Sequence, residues 1–152
     1  LPAVAVGGYA VFHGHPSADA RGIGDGRWHP SPAQPDHWLP RGLLVGHQHP
    51  AVILTNRLQS VKMICFAHAP LPIDGSIVQL ILLPPFSPVR LGSNLLTDHH
   101  WILDLPRPAD EHIRILGVVE PTLPRVAQIL DFGPLALLPA NDSRLFPLAS
   151  FL

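Results

Sequence analysis

Gly42-Leu43-Leu44-Val45-Gly46-His47-Gln48-His49-Pro50-Ala51-Val52-Ile53-Leu54 is the stretch that decides the fold. Two short apolar runs flank a polar tetrapeptide. Leu43-Leu44-Val45, bounded by glycines, reads as a buried strand, and residues 51–54 read as a second. His47 and His49 then stand just past the carboxyl end of a strand, where open α/β sheets place their ligands. In an extended segment, residues two apart point to the same side, so the two imidazoles are expected to converge. Gly46 would permit close backbone approach, and Pro50 would stiffen the exit.

Working outward, the same pattern repeats. Tyr9-Ala10-Val11-Phe12 follows Gly7-Gly8 as a short buried strand and runs into His13-Gly14-His15. Residues 61–66 read as a strand, and 56–60 have the length of a hairpin loop. Residues 77–83 are the longest strand candidate, followed by the rigid Pro84-Pro85-Phe86-Ser87-Pro88. Residues 110–116 suit either a short helix or a strand. Residues 117–120 and 125–132 read as a closing pair of strands. The Pro, Gly, Ser and Asp of residues 16–40 predict an irregular loop, with one helical turn near 36–39. The domain is expected over 1–138 and a tail without periodicity over 139–152.

Composition bounds the rest. With 19 Pro and 12 Gly in 152 residues, long helices have no room, and a helical bundle is excluded. Apolar residues are 47% and charged residues 14%, too apolar a mixture for a disordered chain. The formal charge is −1 and the arginines are scattered, so no basic stripe points to nucleic acid. A single Cys rules out an internal disulfide framework and a Cys-rich zinc site. The longest apolar stretch, 77–86, is too short to span a bilayer, and no signal-peptide pattern is visible. A chain opening on Leu1 at the approach to a strand is expected to lack an upstream segment.

Chemistry therefore rests on histidine. Six of the ten lie between positions 13 and 49. Neutral imidazole is the commonest protein ligand for divalent transition metals. A single His at a strand end is ordinarily a structural residue; two His-x-His pairs at two strand ends point to a metal. His29, His37 and His68 read as solvent-exposed loop residues, and His99-His100 beside Asp98 as a surface turn. Cys65, inside Ile64-Cys65-Phe66, reads as a core thiol. Gly22-Ile23-Gly24-Asp25-Gly26 lacks the Lys of a phosphate loop. The His-x-His-Pro of metal isopeptidases needs a Ser-x-x-Asp in register and an upstream Glu, and neither is present.

Gly46-His47-Gln48-His49-Pro50 after an apolar strand resembles the last metal-binding motif of calcineurin-like metallophosphoesterases. The strand ending in His13-Gly14 resembles the motif before it. Residues 62–66, Leu83-Pro84-Pro85-Phe86-Ser87-Pro88 with Gly92 and Asn94, and Leu130-Asp131-Phe132-Gly133 resemble later segments of the SbcD-related and DNA-ligase-associated branch. The resemblance covers residues 7–94 and 126–138. It implies a strand-rich α/β fold, the carboxyl-terminal half of a metallophosphoesterase-type β-sandwich flanked by few helices.

For function, the resemblance implies cytoplasmic phosphodiester hydrolysis, with DNA a candidate substrate and no membrane partner. Two divalent ions about 3.5–4 Å apart would clamp the phosphate in line. Mn²⁺ is the first choice by resemblance, with Zn²⁺ and Fe²⁺ as alternatives. His13 and His47 would ligate one ion and His49 the other. His15 would lie beside the phosphate as the catalytic or leaving-group residue. The family's remaining ligands sit in Asp-x-His, Gly-Asp and Gly-Asn-His-Asp or -Glu motifs. These do not occur here in order, so a partial metallophosphoesterase domain is expected. The alternative is a non-catalytic metal-binding or scaffold remnant. Such a partial sheet is also expected to leave strand edges open to aggregation.

Overall fold

The computed structural model describes residues 4–12, 23–24, 27–28, 39–55, 59–85, 92–98, 107–119 and 128–139. The fold is strand-rich, as expected. Its strands are β1 (Val4–Val6), β2 (Tyr9–Phe12), β3 (Ile23–Gly24), β4 (Arg27–Trp28), β5 (Gly42–Val45) and β6 (Pro50–Thr55). They continue with β7 (Ser60–Ile73), β8 (Ser76–Leu82), β9 (Ser93–Asn94), β10 (Arg114–Val119) and β11 (Gln128–Pro134). The helical content of the described residues is one 3₁₀ turn, Leu135–Leu137.

The main sheet runs β1-β2-β5-β8-β7-β10-β11, and it is mixed. β2, β5 and β8 are parallel neighbours; β7 returns antiparallel to β8, and β10 and β11 continue antiparallel. β3 and β4 form a separate two-stranded ladder inside the region expected to be irregular. The helical turn expected near 36–39 and the tail beyond 139 lie outside the described residues.

The longest strand is β7, with 14 residues, rather than the segment 77–83. Pro70 and Pro72 obscure it in the sequence, because proline cannot donate to a ladder. Here β10 pairs only with residues 65–68 of β7, so both prolines lie on a flank past the end of that pairing. The strand then reverses through Asp74-Gly75, both at positive φ, into β8. Asp-Gly is the preferred pair for such a two-residue hairpin turn.

Alternation along β7 builds the core. Cys65, Ala67, Ala69, Leu71 and Ile73 are buried, while the residues between them are half-buried or exposed. Laterally, Ala10, Leu43, Leu80 and Ala69 form one buried row across four strands. Val45, Leu82, Ala67 and Ile115 form the next. Each fully buried leucine in these rows contributes roughly 1.5–3 kcal/mol of transfer free energy. His68 is not the exposed loop residue expected. It is half-buried within β7, between Ile81 of β8 and Arg114 of β10, because the strand continues through it.

β7 also joins two ladders. Residues 60–64 pair with β6, and residues 67–73 pair with β8. On its other side β6 pairs in parallel with β9. The chain therefore leaves the β5–β8 ladder and enters the β6–β7 ladder within residues 46–49.

The ambiguous segment 110–116 resolves as a turn followed by β10, and the expected closing pair is present as β10 and β11. The exposed Arg114 donates from Nε to both Asp131 carboxylate oxygens, at 3.0 and 2.9 Å, across this pair. The guanidinium hydrogen bonds, and then the Gly133 backbone N–H, hold the Asp131 carboxyl below its ordinary value. Its stabilising contribution is therefore complete above the ordinary carboxylate pKa and is lost as pH falls through the depressed one. Asp131→Asn is expected to differ from the native chain in urea midpoint near neutral pH, with the difference closing in acid. A difference that widens in acid contradicts this sign.

Candidate functional site

His47 and His49 occupy the connection between β5 and β6. The parallel register puts the last residues of three strands together at one sheet end: Phe12 beside Val45, and Val45 beside Leu82. The two His-bearing segments of the sequence thus depart from adjacent strands at the same end of the sheet. That end is the carboxyl edge of parallel strands, where backbone geometry favours ligand sites. His13 and His15 lie outside the described residues, as do His29, His37, His99 and His100.

The connection is a turn, not the extended segment expected. His47-Gln48 forms the turn, and His49 sits at φ +46°, in the left-handed region. The chain must change ladders within four residues, and His49 takes the reversal that the sequence pattern assigned to no residue. A close backbone approach to this turn is made from a glycine distant in sequence. It is Gly92, where an added Cβ would lie 2.6 Å from the His49 carbonyl oxygen. The two imidazole centroids are 6.2 Å apart with the ring planes tilted by 47°. Both rings are half-buried.

A polar scaffold holds this turn. The Ser93 backbone N–H donates to the His49 carbonyl at 2.9 Å. Gln48, between the two histidines, is 1% exposed, and its Nε2 faces Ser93 Oγ at 3.5 Å. Ser93 Oγ donates to Asp98 Oδ2 at 2.6 Å. Asn94 Oδ1 accepts from the Ile53 backbone N–H at 3.1 Å, fixing β9 against β6. Arg107 donates to the Leu95 and Asp98 carbonyls and to the Asp110 carboxylate, closing the loop from behind.

Gln48, Ser93, Asp98 and Arg107 carry none of the patterns by which ligand residues are recognised in a sequence. The available signal was polarity out of place: a Gln between two histidines next to buried strands, and Gly92-Ser93-Asn94 among leucines.

Imidazoles at positions 47 and 49 suit Mn²⁺, Zn²⁺ or Fe²⁺ as donors. Among the described residues no group of three or more His, Cys, Asp or Glu side chains converges on one point. A metal ion held at these two imidazoles would need at least one further protein ligand. Burial pushes the Cys65 thiol up to about 12, so it is neither a thiolate ligand nor a nucleophile at neutral pH. Among the described residues no helix is long and apolar enough to cross a membrane. No family model, curated protein or solved structure matches the chain.

Proposed function

We propose that this chain is part of a metal-dependent phosphoesterase that hydrolyses phosphodiesters, with DNA a candidate substrate. The observation that carries the reading is the braced His47–His49 turn at the shared carboxyl end of β2, β5 and β8. In this reading His13 and His47 ligate one divalent ion and His49 the other, Mn²⁺ first. His15 serves the phosphate side of the site. When bound, such ions polarise a phosphoryl oxygen and the attacking water. The protein's own part is orientation: a turn fixed by Ser93 keeps both rings in place without cost at the moment of binding. We place the reaction in the cytoplasm, where a lone thiol such as Cys65 stays reduced.

A second reading has its own support. With no carboxylate converging on the imidazoles among the described residues, two adjacent cations lack compensating charge. One ion held by histidines, without turnover, is the arrangement this favours.

Hydrolysis of a bis-aryl phosphodiester with Mn²⁺ separates the two. The assay uses this chain and a chain extended through any coding sequence upstream of Leu1. The extended chain is expected to turn over, and His47→Ala or His49→Ala to lower its rate by at least about 100-fold. One ion retained by equilibrium dialysis, lost in His47→Ala, without turnover in either chain, favours the non-catalytic reading. If both chains stay inert and metal-free, both readings fail.

A further inference from the structure

We infer that Ser93, locked by Asp98, is a positioning residue that sets the two imidazoles of the His47–His49 turn. The inference rests on the metal-site reading for its purpose, but on hydrogen-bond chemistry for its mechanism. A carboxylate only accepts, so the 2.6 Å contact to Asp98 Oδ2 commits the Ser93 hydroxyl proton to Asp98. The Ser93 oxygen is then left as an acceptor on its other side. There it meets Gln48 Nε2, which only donates, at 3.5 Å.

Asp98 thus leaves the Ser93 oxygen turned toward the Gln48 amide, as one of the contacts that amide makes. Gln48 is buried and stands between the two histidines, so what holds its side chain restrains the span of chain that carries both rings. The Ser93 backbone N–H grips the same span at the His49 carbonyl, 2.9 Å away. One residue therefore holds the turn at two successive positions, by side chain at 48 and by backbone at 49. Arg107 keeps Asp98 in place through its backbone carbonyl at 3.1 Å.

Outer partners of this kind typically change metal affinity 10–100-fold when removed. Isothermal titration of the full chain with Zn²⁺ tests the role, using Ser93→Ala, Ser93→Thr and His47→Ala. Ser93→Ala keeps the backbone grip and loses the hydroxyl. Its affinity is expected to fall at least 10-fold at an unchanged far-UV spectrum. Ser93→Thr, which restores a hydroxyl, is expected to recover most of the loss. Equal affinity in the native chain and Ser93→Ala overturns the positioning role.

The metal-free protein gives a second readout. The imidazole Cε1–H resonances of His47 and His49 are expected to shift in Ser93→Ala and to return in Ser93→Thr. If the native chain takes up no Zn²⁺, the metal reading fails, and these resonances alone decide the latch. Unchanged resonances overturn it.

Discussion

Gly92→Ala is expected to destabilise the protein by about 3 kcal/mol, seen as a fall of about 10 °C in melting temperature. Two penalties combine at this position. Its φ is +61°, which an L side chain adopts only with strain. The added Cβ would also meet the His49 carbonyl oxygen at 2.6 Å and the Ala51 Cβ at 3.3 Å. Neither neighbour can yield cheaply. The carbonyl is backbone that accepts the Ser93 N–H, and Ala51 is fully buried in β6.

Gly75→Ala isolates the first penalty, since Gly75 has φ +74° with nothing within 4 Å of an added Cβ. It is expected to cost about 1 kcal/mol. Equal losses for the two variants would mean that β9 does not press on the His turn as described. The same crowding explains why the turn tolerates a left-handed His49. Gly92, Ser93 and Ala51 over-determine its backbone, so the strain is offset by neighbours rather than relaxed.

How much of this was legible in the sequence differs from feature to feature. β2, β5 and β6 were legible because each is an apolar run bounded by glycine or proline, and their observed bounds differ from the expected ones by at most one residue. The full length of β7 was not. A strand carrying Pro70 and Pro72 contradicts the local signal, and only the end of β10 at Arg114, opposite His68, explains why it survives. Asp74-Gly75 did announce the β7–β8 reversal in composition, and Ala69, Leu71 and Ile73 gave the period-2 alternation. The prolines between them masked both.

The site divides in the same way. That the His47 and His49 rings lie near each other follows from their spacing. How they are brought together was not legible, because the reason given, an extended segment, is the wrong local geometry. The turn exists because β6 pairs with residues 60–64 of β7 and with β9, outside the β5–β8 ladder, and the distant partner β9 leaves no mark on residues 46–49. Its supports lie 43 and more positions away at Gly92, Ser93 and Asp98, beyond the reach of any local pattern.

Leu80→Ala is expected to cost about 3–4 kcal/mol, within the usual range for a leucine truncated in a packed core. Leu80 is 1% exposed on β8, the strand with neighbours on both sides in the middle of the sheet. It stands between Leu43 of β5 and Ala69 of β7. Ala69 is too small to fill the vacated space, and Leu43 is held by its own pairing to Ala10, so the cavity should collapse poorly. Ile77→Ala on the same strand is the comparison. Ile77 is 64% exposed, and its truncation is expected to change stability by less than about 0.5 kcal/mol.

Urea unfolding of the two variants therefore tests more than one side chain. In the register found, Leu80 is enclosed between Leu43 and Ala69, and that register also ends β2, β5 and β8 at the same level. Should Leu80→Ala prove as mild as Ile77→Ala, the packing of β8 between β5 and β7 is not as described. The His47–His49 turn would then lose its place beside the end of β2, and with it the geometric ground for assigning His13 to the same site.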